Sequence, residues 1–347
     1  MKALPTGKMA AEKRLILTDD GEEVYAVSPV IISASRATDI PAFYPDWFVH
    51  RLEKGYARWI NSFNPHLPYY VSFEDARAVV FWSKNPLPLL PYLDRLDSLG
   101  LVYYLQFTLT SYGPAGLEPG LPPLDERIST FIRFSDRIGD DRVIWRFDPV
   151  LLTNTLGMKE VLSGIEYIGK RIAPYTKKFV FSFVDTSYSK VKRQAGTMQI
   201  RAPIYEEKLE FIEGITRMNR KWNLSLAVCA DNTDYGPLIE HNRCIDDTLL
   251  RKIDLESGRH DGALTRFLET HKGKDPGQRL ACRCVKSKDI GQYDTCLHGC
   301  VYCYATDHAK ARINAEKHAL TPWADTITGE RIRAARRTWR DIQSSLM

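Results

Sequence analysis

Short apolar runs alternate along this chain with longer stretches in which apolar residues recur at three- and four-residue spacing. The runs at 28–34, 57–62, 78–83, 102–109, 142–147, 178–184 and 224–229 read as strands. The stretches at 44–54, 86–98, 125–138, 158–173 and 205–220 read as helices with one buried face. Repeated β-α alternation predicts parallel strands covered by helices, and about seven such units predict an α/β fold of the (β/α) barrel-like, TIM barrel kind, closed or partial. Residues 1–27 are charged and irregular and read as an N-terminal extension or short hairpin, with the barrel-like domain over 28–230. The stretch 231–281 reads as irregular because Gly, Asp and Asn interrupt any long period. Residues 231–347 as a whole are expected to be a cysteine-rich, cluster-binding segment with a C-terminal helix, packed on the barrel.

In such an architecture chemistry gathers where the strands end, and six runs end in polar clusters. They supply the candidates Arg36 and Asp39, Asn61, Asn64 and His66, Lys84, Thr108 and Thr110, Arg146 and Asp148, and Asp185 and Thr186. Turn chemistry and helix caps use the same residue types, so Asp39 has a second reading as the group that orders the turn before Pro41. Arg146 and Asp148 have a second reading as an ion pair across the rim. Trp82 and Trp145 are expected to pack in the core or line a pocket.

The chain has 347 residues, 44% of them apolar, enough for one large core, and a net charge of +5. That charge permits nucleic acid or another polyanion as substrate and falls short of a nucleic-acid-coating protein. No stretch approaches 18 consecutive apolar residues and the start lacks a secretory pattern, so a cytoplasmic protein with no membrane partner is expected. In that compartment seven cysteines are not a disulfide framework. None precedes residue 229; then come Cys229, Cys244, Cys282, Cys284, Cys296, Cys300 and Cys303. Confinement to the last third points to convergence on metal. Three thiolates from the short loop Cys296-x3-Cys300-x2-Cys303 suit a [4Fe–4S] cluster with one iron left open, and Gly299 lets the backbone bend beside it. His298 is expected to reach a cluster sulfur or to face solvent. The remaining four cysteines would saturate a second cubane or close an all-cysteine zinc site, the cubane being the favoured reading; the other is that Cys229 and Cys244 are small buried hydrophobes.

The loop Cys296-Leu-His-Gly-Cys300-Val-Tyr302-Cys303 resembles that of the radical S-adenosylmethionine (SAM) superfamily, with Tyr302 as the usual aromatic before the last cysteine. The resemblance implies that SAM chelates the open iron, and that an electron from a donor such as ferredoxin or flavodoxin cleaves it to a 5′-deoxyadenosyl radical that attacks an unknown substrate. The stretches Ser33-Ala-Ser-Arg36-Ala-Thr-Asp39-Ile-Pro41, Trp82-Ser-Lys84-Asn85-Pro86, Trp145-Arg146-Phe-Asp148-Pro149 and Asp289-Ile-Gly-Gln-Tyr-Asp294 look like the domain-of-unknown-function 1848 family, over about residues 28–306.

A more distant similarity links Trp82-Ser-Lys84, Phe107-Thr108-Leu-Thr110, Leu117-Glu118-Pro119 with Arg127, and Arg146-Phe-Asp-Pro149 to spore photoproduct lyase-like radical SAM proteins, where the cysteine loop comes first in the chain. Here it comes last, which a circular permutation of a barrel accommodates. The resemblance implies catalytic roles for Lys84, Arg146 and Asp148 and cofactor contacts from Thr108, Thr110, Arg36, Asp39 and Tyr302. The competing function is a cluster- or zinc-binding redox or nucleic-acid module without SAM chemistry, its strand contact coming from the basic stretch 328–345.

Overall fold

Runs rich in Val, Ile, Phe and Tyr become strands, and the three- and four-spaced stretches become helices, at nearly the expected boundaries. The computed structural model describes residues 13–60, 68–196, 198–258 and 261–329. The strands are β1 (Lys13–Leu17), β2 (Glu23–Val27), β3 (Ile31–Ala34), β4 (Tyr56–Ile60), β5 (Pro68–Ser72), β6 (Ala78–Ser83), β7 (Val102–Thr108), β8 (Val143–Val150), β9 (Lys178–Phe183), β10 (Ser225–Val228), β11 (Ile239–His241) and β12 (Lys288–Asp289). The α-helices are α1 (Ile40–Phe43), α2 (Pro45–Lys54), α3 (Leu93–Ser98), α4 (Leu124–Ile138), α5 (Met158–Ile172), α6 (Ser189–Ala195), α7 (Tyr205–Trp222), α8 (Asp247–Ser257), α9 (Ala263–Thr270) and α10 (His308–Leu320).

Eight strands form one sheet in the order β11-β10-β9-β8-β7-β6-β3-β12. Every pairing in it is parallel. The chain is therefore α/β with a large parallel sheet, and no pairing joins the edge strands β11 and β12 among the described residues. Two expectations change. The run at 57–62 is not a strand of this sheet: β4 pairs antiparallel with β5 in a second, four-stranded sheet of order β1-β2-β5-β4. A five-residue apolar run carries no information about its partner, so periodicity could not separate the two sheets. Residues 13–27 form an antiparallel hairpin in that second sheet. The stretch 231–281 is not irregular, because β11, α8 and α9 lie within it. Two of its glycines, Gly258 and Gly262, cap α8 and α9 in the left-handed region, where they bound helices rather than abolish them.

Side chains alternate across the large sheet. One face, with Val79, Phe81, Tyr103, Leu105, Phe107, Trp145, Phe179 and Phe181, joins the main core under α2, α4, α5 and α7. The other face starts apolar, with Ile31, Val80, Val102, Tyr104, Ile144, Val180 and Ala227 packed against Leu250 and Ile253 of α8 and Leu264 and Leu268 of α9. Two residues further along β3, β7, β8 and β9, and just past β10, that face turns polar with Ser33, Gln106, Arg146, Ser182 and Cys229, while β6 carries Trp82. The C-terminal strand ends thus carry a polar layer above an apolar floor. The segment after residue 231 packs α8 and α9 on this face and also supplies both edges of the sheet, β11 and β12.

Candidate metal and cofactor site

The cysteine loop is carried to the strand ends by β12. Lys288 and Asp289 pair in parallel with Ile32 and Ser33 of β3, which leaves the loop at the C-terminal end of the sheet. Asp289 secures this junction through three hydrogen bonds: its carboxylate accepts from Ser33 Oγ at 2.6 Å, Arg36 N at 2.9 Å and Gly291 N at 2.9 Å. Beyond it, the Thr38 and Thr295 hydroxyls meet at 2.5 Å and Tyr44 OH donates to Thr295 O at 2.7 Å. The segment 117–120 holds the loop from the other side. Val301 N donates to Leu117 O at 3.0 Å, and Gly120 N donates to His298 O at 2.9 Å. A Cβ at Gly120 would lie 2.6 Å from that carbonyl oxygen, so only glycine fits so close to the loop backbone. Gly299, at φ +69, makes the bend between the first two cysteines.

Beneath the loop lies a buried polar network built on Glu118. Its carboxylate accepts from Lys84 Nζ at 2.7 Å, from Thr110 Oγ1 at 2.7 and 2.8 Å, and from Tyr302 OH. Lys84 Nζ also lies 3.0 Å from Tyr302 OH. Burial alone would raise the Glu118 carboxyl, but the Lys84 and Arg127 charges and the Lys84 hydrogen bond outweigh it and bring its pKa down to about 2. Burial works against the Lys84 ammonium too, yet Glu118 and Cys300 leave its pKa raised. Lys84, Thr110 and Tyr302 thus come together as expected candidates, while Glu118, which joins them, was not among those candidates. The Leu-Glu-Pro segment was the signal that could have found it.

Asp39 caps α1, its Oδ1 accepting from Ala42 N at 3.0 Å, and its Oδ2 meets Lys84 N at 2.8 Å and His298 Nε2 at 2.6 Å. It therefore orders the turn before Pro41. His298 is buried against Phe43 and Asp39 rather than facing solvent, because the loop folds inward over α1. Cys296 and Cys303 are half-buried and Cys300 is buried. Burial, with the Asp39 and Cys303 charges, pushes the Cys296 thiol up to about 12; burial likewise raises Cys300, against the pull of the Lys84 ammonium. The three thiols sense one another's charge, and the His298 and Asp39 backbone N–H groups pull Cys296 down against its burial, the kind of influence that tunes cluster sulfurs.

The other four cysteines meet elsewhere on the polar layer. Cys229 Sγ lies 3.3 Å from Cys244 Sγ, Cys284 Sγ accepts from Ile245 N at 3.4 Å, and Cys282 packs against the same cluster. Arg146 is here, not beneath the cysteine loop: its Nη1 donates to Cys244 Sγ at 3.1 Å and to Gln106 Oε1 at 3.2 Å, and its Nη2 pairs with Asp148. Asp148 also accepts from Ser182 Oγ. Arg36 completes the surround, with its guanidinium 5.2 Å from the Trp82 ring and its charge acting on Cys284, Cys244 and Cys282. Its backbone carbonyl accepts from Tyr304 OH at 3.0 Å, so Arg36 stands between the two cysteine groups. Thr108 ends β7 opposite Arg146. Next to Cys229 a cleft of about 520 Å³ opens, with Ser182, Asp185, Lys208, Asp231 and Arg279 among its walls. No group of three or more His, Cys, Asp and Glu side chains stands ready to hold a metal ion among the described residues. Asn61, Asn64 and His66, and the basic stretch from residue 330 onward, lie outside the described residues.

Residues 31–305, from β3 through both cysteine groups, match the family described as Domain of unknown function (DUF1848). The chain belongs to that family. The family match therefore covers the whole eight-stranded sheet, the Glu118 network and all seven cysteines, as the sequence motifs implied. No curated protein and no solved structure matches the chain. Among the described residues no helix is long and apolar enough to cross a membrane.

Proposed function

We propose that this is a radical SAM-like enzyme in which Cys296, Cys300 and Cys303 hold a [4Fe–4S] cluster with one open iron. The observation that carries the reading is the place of β12. It stands at the edge of the sheet beside β3, so the loop that follows it occupies, in space, the position after a first strand. The order β12-β3-β6-β7-β8-β9-β10-β11 then reads as a partial barrel entered at a permuted point, with α10 as the helix after its first strand. The site suits the cluster: three thiols from one loop bent at Gly299, with the Lys84 ammonium acting on Cys300. When bound and reduced, such a cluster supplies the electron that cleaves SAM.

The chain's own residues position and shield. Glu118 fixes Tyr302 and Lys84, Asp39 fixes His298, and the 117–120 segment closes one side of the loop against water. The cleft beside Cys229 opens at the same strand ends and is the place for substrate. The test is anaerobic reconstitution with iron and sulfide, followed by an assay for 5′-deoxyadenosine with dithionite and SAM. We expect a brown protein that makes 5′-deoxyadenosine, and loss of that product in Cys300→Ala. Iron bound at the loop with no SAM cleavage would favour the redox or nucleic-acid module instead.

A further inference from the structure

The four cysteines outside the loop come from three separated segments: Cys229 follows β10, Cys244 follows β11, and Cys282 and Cys284 precede β12. The fold brings all four to one cluster: Cys229 Sγ lies 3.3 Å from Cys244 Sγ, the backbone N–H next to Cys244 reaches Cys284 Sγ, and Cys282 packs against the same cluster. Buried cysteines packed merely as small hydrophobes would sit among aliphatic neighbours. Cys244 and Cys284 do lie beside the aliphatic residues under α8 and α9, but their sulfurs also receive N–H donors: Arg146 Nη1 and Asn242 Nδ2 on Cys244 at 3.1 and 3.2 Å, and Ile245 N on Cys284 at 3.4 Å. Donors converging on sulfur, with two guanidiniums alongside, are what an anionic metal–thiolate centre recruits. Two buried guanidinium atoms here, Arg146 Nε and Arg36 Nη2, have no hydrogen-bond partner among the described residues.

We infer that Cys229, Cys244, Cys282 and Cys284 form a second metal centre, a single zinc-class ion held by four thiolates. The sulfur spacing selects one ion over a second cubane. Tetrahedral ligands about 2.3 Å from one ion lie about 3.8 Å apart, close to the contact already made by Cys229 and Cys244, whereas a cubane spreads its four thiolates over four irons. Cys229 and Cys282 are half-buried, while Cys244 and Cys284 are buried and held by their N–H donors, so gathering the four on one ion falls to the outer pair. The net charge of −2 on such a centre is balanced by Arg146 and Arg36.

This inference stands apart from the SAM reading, and the two fail separately. The test is metal analysis of the full chain purified without added iron, then exchange with Co²⁺. We expect about one zinc per chain that survives dialysis against EDTA, and one Co²⁺ in its place giving thiolate-to-cobalt charge-transfer and intense tetrahedral bands. The triple variant Cys296→Ala, Cys300→Ala, Cys303→Ala should keep the zinc, and Cys229→Ser, Cys244→Ser should lose it. The cobalt spectrum of the unmodified chain needs no variant to fold. About eight irons per reconstituted chain with no zinc, a Cys229–Cys244 disulfide without metal, or zinc retained in Cys229→Ser, Cys244→Ser would each overturn the assignment.

Discussion

Glu118 carries a large electrostatic consequence for a single residue, because its carboxylate is fully enclosed yet held ionised between Lys84 and Arg127. Removing one member of a buried pair leaves the other charge uncompensated, so Glu118→Ala should lower unfolding free energy by about 3–5 kcal/mol in urea titrations. The acid dependence has a definite sign. The folded pKa of about 2 lies below the ordinary 4.5, so the contribution is whole above about pH 4.5 and is lost as pH falls toward 2. The stability gap between the native chain and Glu118→Gln should therefore narrow between pH 5 and about 2; a gap that stays constant would show that the carboxylate is not held ionised. Glu118 also shows where residue-level reading of the sequence ends. Lys84, Thr110 and Tyr302 stood out by motif, but the carboxylate that joins them lies 34 residues from the first and 184 from the last.

At the scale of elements, the cysteine loop depends on a close backbone approach and on a two-residue strand. Gly120→Ala would place a methyl group 2.6 Å from His298 O and 2.8 Å from Leu297 O, both backbone atoms that cannot turn aside. Such overpacking costs about 1–3 kcal/mol. We expect the loop to shift, with a lower melting temperature and reduced iron uptake on reconstitution, while metal at the four-cysteine centre is retained. Helix and strand positions were legible because each element carries its own period, and α4, α5 and α7 begin and end within a few residues of the expected places. The strands β11 and β12, three and two residues long, were not legible. They are set by neighbours rather than by pattern, since so short a strand contains no repeat to read.

At the scale of the molecule, the segment after residue 231 returns to both edges of the sheet, and the chain's last cysteines finish beside its first large-sheet strand. If the loop takes a cluster, that return should tighten. Hydrogen–deuterium exchange across 288–306 should slow on anaerobic reconstitution, while the central strands β7, β8 and β9 stay unchanged; equal exchange in loaded and unloaded protein would separate the loop from the metal.

The sequence by itself determined the β-α alternation, the confinement of cysteine to the last third, the Cys-x3-Cys-x2-Cys loop and the polar strand ends, because periodicity, composition and spacing are local properties. Only the tertiary structure decided that β4 leaves the large sheet, that Arg146 faces Cys244 while Lys84 faces Glu118, and that Cys229 and Cys244 meet where Cys282 and Cys284 pack. Those are pairings across tens to hundreds of residues. They follow from which surfaces the folded chain must bury together, and no local pattern along the chain encodes them.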